Sequence, residues 1–290
     1  MDIKDRLRGC LIAGAIGDAI GYRYECMNDV ADVIFDFDWI ISDDTQLSIA
    51  TCEAIYDELD IKPEKVAERF LYWYQKRKLN GLGSSTLKAL RELQVGGHWA
   101  LVGRSGEYAA GNGAAMRIAP LAFKKYVTRL NIQDICTITH RNDEAYCGAL
   151  AIYYAIRAAI SEIWTGDKFL IGFILEKIPD TRVRDRLIEF DKLSHLSISE
   201  LGERYRSTGY VVDSVPIAIF AAQKICVSDF KTIITDLIKI GGDTDTVCSM
   251  FGQIVGSLKG IDVIPNDFIN KFNQLEISQL ITNLVDKWKE

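Results

Sequence analysis

The chain has 290 residues, 48% hydrophobic and 26% charged, the balance of a globular protein with a sizeable core. Its 34 Lys and Arg against 40 Asp and Glu give a net charge of −6, which argues against nucleic-acid binding through a general basic surface. Only 5 prolines in a chain rich in Ala, Leu and Ile suit helices and exclude collagen-like, disordered and disulfide-scaffold classes. Lys4, Arg6 and Arg8 before the apolar run 9–17 imitate a short signal peptide, but Asp2 and Asp5 spoil the basic region and Asp18 ends the run. No apolar run approaches the ~18 residues of a membrane span. The 7 scattered cysteines include no C-x-x-C pair, so the expected setting is the cytoplasm, with reduced thiols.

Helical spacing begins at once. Leu7, Leu11, Gly14 and Asp18 share one face of a first helix, which puts a carboxylate where core residues belong. Leu47, Ala50, Ala54 and Ile55 mark a second, opened by Ser42-Asp43-Asp44-Thr45; Val66, Phe70 and Trp73 mark a third, between Pro63 and the stop Asn80-Gly81. Ser84 or Ser85 caps a fourth through Leu87, Leu90 and Leu93, ended by Gly96-Gly97, and Asn131 caps a short helix carrying Ile132, Ile135 and Cys136. The longest pattern covers about 143–163, where Gly148, Ala151 and Ala155 admit a close neighbour. Further helices are expected near 167–178, 181–193, 214–226, 229–239 (capped by Ser228), 245–258 and 277–289. Ile40-Ile41 and Val211-Val212 are too short to build a sheet. The expectation is an all-α, single-domain chain over 1–290 without linker or repeat.

Two clusters precede apolar helices: Ser42-Asp43-Asp44-Thr45 and Gly241-Gly242-Asp243-Thr244-Asp245-Thr246. One such residue suffices to cap a helix, whereas each cluster places two carboxylates within three residues, where they repel unless a cation lies between them. Carboxylate and hydroxyl oxygens suit Mg²⁺, Mn²⁺ or Ca²⁺ rather than zinc. An EF-hand is excluded, because Val247 and Cys248 fall where its next ligand and glycine belong. Asp18 and Glu25, in a Gly-rich segment, either join these clusters or, for Asp18, bond loop backbone from a buried position. Gly111-Asn112-Gly113 before a helix exposes N–H groups to an anion such as phosphate, although a purely structural helix-entry turn has the same sequence. The three histidines, 98, 140 and 195, are too scattered for a zinc triad; His140, after Thr139 at a helix end, reads simply as a dipole partner. A Walker loop and a G-x-S-x-G elbow are both missing.

Taken in order, Gly17-Asp18-Ala19-Ile20-Gly21, Ser42-Asp43-Asp44-Thr45, Gly111-Asn112-Gly113-Ala114-Ala115-Met116-Arg117, Thr139-His140 and Gly241-Gly242-Asp243-Thr244-Asp245-Thr246 resemble the motifs of the ADP-ribosylglycohydrolases. The resemblance implies an all-α, orthogonal many-helix bundle with a cleft holding two Mg²⁺ or Mn²⁺ ions. It implies Ser42, Asp43, Asp44 and Asp245 around one ion and Glu25, Asp243, Asp245 and Thr246 around the other, Ser42 standing where relatives usually carry Thr. It also implies that Gly111, Asn112 and Gly113 cradle the diphosphate of ADP-ribose and that His140 and Tyr210 line the ligand. Ala109 and Ala110 replace a serine and an aromatic found in some relatives, with Tyr108 the aromatic at hand. The implied activity removes ADP-ribose from a modified protein or small molecule, arginine-linked by default, with Asp43 or Asp44 acting on water and Glu25 as acid or base. Two other classes fit the same motifs: an immunity or binding protein that caps ADP-ribosyl groups or occludes an ADP-ribosyltransferase toxin, and a phosphohydrolase releasing AMP. A monomer is expected.

Overall fold

The computed structural model describes residues 1–27, 29–167 and 169–289. In chain order its α-helices are α1 (Ile3–Tyr22), α2 (Asp43–Ile55), α3 (Pro63–Gln75), α4 (Ser84–Gln94), α5 (Trp99–Val102), α6 (Arg129–Thr137), α7 (Asp143–Ile160), α8 (Leu170–Leu175), α9 (Arg182–Lys192), α10 (Ile198–Gly202), α11 (Val211–Gln223), α12 (Phe230–Ile240), α13 (Thr244–Lys259), α14 (Asn266–Phe272) and α15 (Glu276–Lys287). Among the described residues the one sheet is a two-residue parallel pairing of β1 (Arg104–Ser105) with β2 (His140–Arg141), Arg104 opposite His140. The all-α expectation holds.

The centre of the molecule is the antiparallel pair α1 and α13, which meet backbone to backbone. A Cβ on Gly9, Gly17 or Gly21 would overlap main-chain atoms of Gly256, Cys248 or Thr244, and one on Gly252 would overlap Ala13. The contacts step four residues down one helix for every four up the other, so a single stripe of small residues sets the register. That register brings the C-terminal end of α1, with Asp18, beside the N-terminal end of α13, with Asp245. At the opposite end the buried Arg6 donates to the carbonyls of Ala159, Ser257 and Leu258, tying the C-terminal turns of α7 and α13 to α1. Gly148 of α7 lies against Val211 and Val215 of α11, as its small size predicts.

Several element ends differ from expectation. Asn131 is not the cap of α6: Thr128 accepts its N–H, while Asn131 Oδ1 accepts the N–H of Thr128, a capping box. Asp229, not Ser228, caps α12 by accepting from Thr232 N at 3.0 Å. Val211 and Val212 are the first turn of α11, which carries Pro216 inside and ends at Gln223. The long helix stops at Ile160, and the one expected near 167–178 shrinks to α8; Lys168 lies outside the described residues. The short α5, α10 and α14 escape a periodicity reading, which needs longer windows. All 7 cysteines are free. Among the described residues no single helix is long and apolar enough to cross a membrane; one bent pair, Thr244–Val263 with Asn266–Phe272, passes by length and composition, and its α13 is core.

Candidate active site: an acidic cleft

The site starts at the N-terminus of α2, whose free N–H groups need acceptors. Ser42 takes the bland role: its Oγ accepts the N–H of Asp44 at 3.2 Å. Asp18, reaching across from α1, accepts the N–H of Ser42 and of Thr45, each at 3.1 Å, and the Thr45 hydroxyl at 2.5 Å. It is thus the buried carboxylate that bonds backbone, and it leaves Asp43 and Asp44 spare for other work. Asp44 Oδ2 accepts from the hydroxyls of Ser42 at 3.0 Å and Thr246 at 3.1 Å. Its Oδ1 is buried with no hydrogen-bond partner among the described residues.

The second half comes from the loop before α13. Gly241 and Gly242 take φ of 78° and 82°, and a Cβ on Gly242 would overlap the Ser207 carbonyl, so the turn that aims Asp243 needs glycine. Asp243 accepts from Asn112 Nδ2 at 2.5 Å, and the same amide donates to Ser214 at 3.0 Å. The turn carrying Glu25 is held to this loop by Cys26 N–H on the Gly242 carbonyl at 2.8 Å. Asp18, Asp44 and Asp245 offer oxygens within 4.8 Å of one another; Glu25, Asp243 and Asp245 form a second such group, and Asp245 belongs to both.

Crowded carboxylates in a dry site resist ionisation. Burial, then mutual repulsion, raises Asp43, Asp44 and Asp245 well above the ordinary carboxylate range, and burial holds Asp18 up at about 6 despite its hydrogen bonds. Glu25 is raised by burial and by the charges of Asp243 and Asp18. A buried, unpaired Oδ1 among five carboxylates and two hydroxyls fits an oxygen-preferring divalent cation.

This acidic floor opens into a cavity of about 1130 Å³ whose lining includes Asp43, Thr246, Gly111, Asn112, Gly113, His140, Tyr108, Tyr210 and Arg182. The 111–113 turn is fixed by an antiparallel bridge of Gly111 with Tyr210 and by Asn112 N–H on the Gly209 carbonyl at 3.1 Å. It feeds a 3-10 segment, Asn112–Arg117, rather than an α-helix. Cβ atoms on Gly111 and Gly113 would fall 2.9 Å from His140 Nε2 and Cε1, so the ring is packed under the turn. His140 is therefore no exposed dipole partner at a helix end. It is buried in β2, and burial with the charges of Arg117 and Arg104 pushes it down to about 3. Tyr108 is 87% exposed at the rim, and the Tyr210 hydroxyl faces Arg182 Nη1 at 3.5 Å.

Of the expected metal-binding set, Glu25, Asp44, Asp243 and Asp245 come together as carboxylate groups and Thr246 bonds Asp44. Asp43 lines the cleft beside these groups, Asp18 joins the first of them, and the Ser42 hydroxyl donates to Asp44. Arg117 and Thr139 stand behind His140; both lie within the motifs above, but their role depends on contacts that adjacency in sequence does not reveal.

The sequence profile of the ADP-ribosylglycohydrolase family matches residues 1–290. The chain is 25% identical to an uncharacterized protein of Archaeoglobus fulgidus over 98% of its length and 97% of that protein. It is 26% identical to the ADP-ribosylarginine hydrolase Tri1 of Pseudomonas putida, covering 98% of this chain and 78% of that one, and 23% identical to the ADP-ribosylhydrolase ARH3 of Gallus gallus, covering 96% and 92%. A solved structure described as an ADP-ribosylglycohydrolase-related protein complex superposes with a TM-score of 0.73 at 21% identity, over 98% of this chain and 97% of that one, and shares the fold. Family and relatives together support a hydrolase acting on ADP-ribosyl groups. With the profile matched from end to end and the acidic cleft assembled from its motifs, the chain belongs to the ADP-ribosylglycohydrolase family.

Proposed function

We propose that the cleft hydrolyses the bond between the anomeric carbon of an ADP-ribosyl group and an acceptor side chain, arginine first, and releases intact ADP-ribose. The observation that carries this reading is the pair of carboxylate groups sharing Asp245 at the floor of a cavity large enough for a dinucleotide. Arginine is the chosen linkage because the Pseudomonas putida relative is named for it.

The cofactor proposed is two Mg²⁺ or Mn²⁺ ions, one held by Ser42, Asp43, Asp44 and Asp245 and the other by Glu25, Asp243, Asp245 and Thr246. When bound they supply Lewis acidity toward sugar hydroxyls and water. The protein groups do the rest. Asp43 or Asp44, at the α2 N-terminus, orients the attacking water or takes its proton. Glu25, exposed at the cleft edge, acts as the acid or base that exchanges between ion and substrate and passes a proton to the leaving nitrogen as the carbon–nitrogen bond breaks. Gly111 and Gly113 present backbone N–H groups to the diphosphate while Asn112, its own N–H on the Gly209 carbonyl, fixes the turn; His140 lies beneath them, and Tyr108 and Tyr210 flank the nucleoside end. A monomer acting in the cytoplasm completes the proposal.

The test is ADP-ribose release from arginine- and serine-linked substrates with Mg²⁺, with Mn²⁺ and with EDTA. Release of intact ADP-ribose from the arginine substrate, abolished by EDTA, is expected. Release from the serine substrate alone would reassign the linkage, AMP as product would make the chain a phosphohydrolase, and binding without release would make it an immunity or capping protein.

A further inference from the structure

Burying a guanidinium is costly unless its N–H groups find acceptors, and Arg117 is fully buried. From Nη1 it donates to the carbonyl of Gly113, inside the turn over the cleft. From Nη2 it donates to the Ile135 carbonyl at 3.3 Å and to the Thr139 hydroxyl at 2.6 Å. The Phe70 ring covers the group, 5.1 Å from Cζ to the centroid. The Thr139 oxygen in turn stands 2.7 Å from His140 Nδ1.

The directions of these bonds follow from donor chemistry. Arginine only donates, so Thr139 accepts from Arg117 and keeps one proton of its own to give. Among the described residues its hydroxyl has one acceptor, His140 Nδ1. A neutral imidazole whose Nδ1 accepts carries its proton on Nε2. That atom lies against Gly111 at the wall of the cleft, and no described protein group is bonded to it.

We propose that Arg117 and Thr139 form a positioning relay that sets His140 in the neutral, Nε2-protonated form, so that the ring offers an N–H donor to a diphosphate oxygen of a nucleoside diphosphate under the 111–113 turn. The proposal rests on the reading of the cleft given above. Arg117 does so twice over: one end of its fork orients Thr139, the other fixes the Gly113 carbonyl of the same turn. A lysine there has no planar fork with which to hold both partners. Burial and the neighbouring guanidiniums keep the ring neutral, so the donor is supplied by choice of tautomer rather than by charge.

The test reads the tautomer directly in ligand-free full-length protein. Long-range ¹⁵N–¹H correlation resolves the histidines, with H98Q and H195Q assigning the signals, and calorimetry measures ADP-ribose affinity. The expected wild-type ring has a bare Nδ1 and a protonated Nε2 at neutral pH. Thr139→Val shifts the population toward the Nδ1-protonated form and weakens ADP-ribose binding about tenfold, the scale of one hydrogen bond to a charged group; Thr139→Ser restores both. A wild-type ring protonated on Nδ1, or on both nitrogens, overturns the relay, and this holds even if Thr139→Val fails to fold. So does a folded Thr139→Val that leaves either the tautomer or the affinity at its wild-type value. An Nε2-protonated ring in a chain that does not bind ADP-ribose overturns the function proposed above and leaves the tautomer assignment in place.

Discussion

Asp44 carries two different environments on one carboxylate. Oδ2 is satisfied by two hydroxyls, while Oδ1 is buried and bare, and an unpaired buried acceptor costs about 1–3 kcal/mol. Such a cost is tolerated where the atom has a ligand to meet. Asp44→Asn keeps the shape but removes the charge, so ADP-ribose release is expected to fall about a hundredfold or more with the far-UV circular dichroism unchanged. EDTA is expected to lower the melting temperature of the parent and to leave that of this variant nearly unmoved. A variant that turns over at the parental rate with its fold intact would remove Asp44 from the chemistry.

At the scale of the element, the contact of α1 with α13 holds the two halves of the acidic floor together. Because main chain meets main chain, added bulk cannot be absorbed by a side chain turning aside. Gly17→Ala is expected to cost about 1–3 kcal/mol of stability and to weaken Mg²⁺ binding as well, since Asp18 is the next residue and Asp245 sits one turn from Cys248. Gly172→Ala on α8 is the control: its Cβ would meet no atom within 4 Å, so it is expected to stabilise by roughly 0.5–1 kcal/mol through the unfolded chain. Thermal melts with and without Mg²⁺ distinguish the two, and equal, small effects from both would show that the helix contact does not set the metal site.

The whole molecule pays for its site in a pH-dependent way. Asp43, Asp44 and Asp245 are raised well above the ordinary carboxylate range and Asp18 to about 6, against about 4 in an unfolded chain. The folded state therefore binds more protons than the unfolded one above that value. Metal-free stability from these groups is complete below about pH 4 and is lost as pH rises through the folded pKa values. The melting temperature of EDTA-treated protein is expected to fall from mildly acidic to neutral pH, and the gain on adding Mg²⁺ to widen over the same range. A Mg²⁺ gain that stays constant across those pH values would mean that the carboxylates are not where the ion binds.

Much of this molecule is local and so legible in the chain. Helix periodicity, the acidic turns before α2 and α13, and the Gly-Asn-Gly turn are set by interactions spanning a few residues, and those residues also carry the family resemblance. What only the tertiary structure decided is who meets whom. Asp18 reaches the α2 N-terminus, Asp44 bonds Thr246 some two hundred residues on, and His140 is packed beneath Gly111 and Gly113 with Arg117 behind it. None of these pairings has a local signal, because each is fixed by close helix packing such as the glycine stripe joining α1 to α13. The same burial then decides which carboxylates hold their protons and which imidazole nitrogen holds its own. The sequence by itself determined the chemical groups available, and the packing of distant helices determined their partners and their charge.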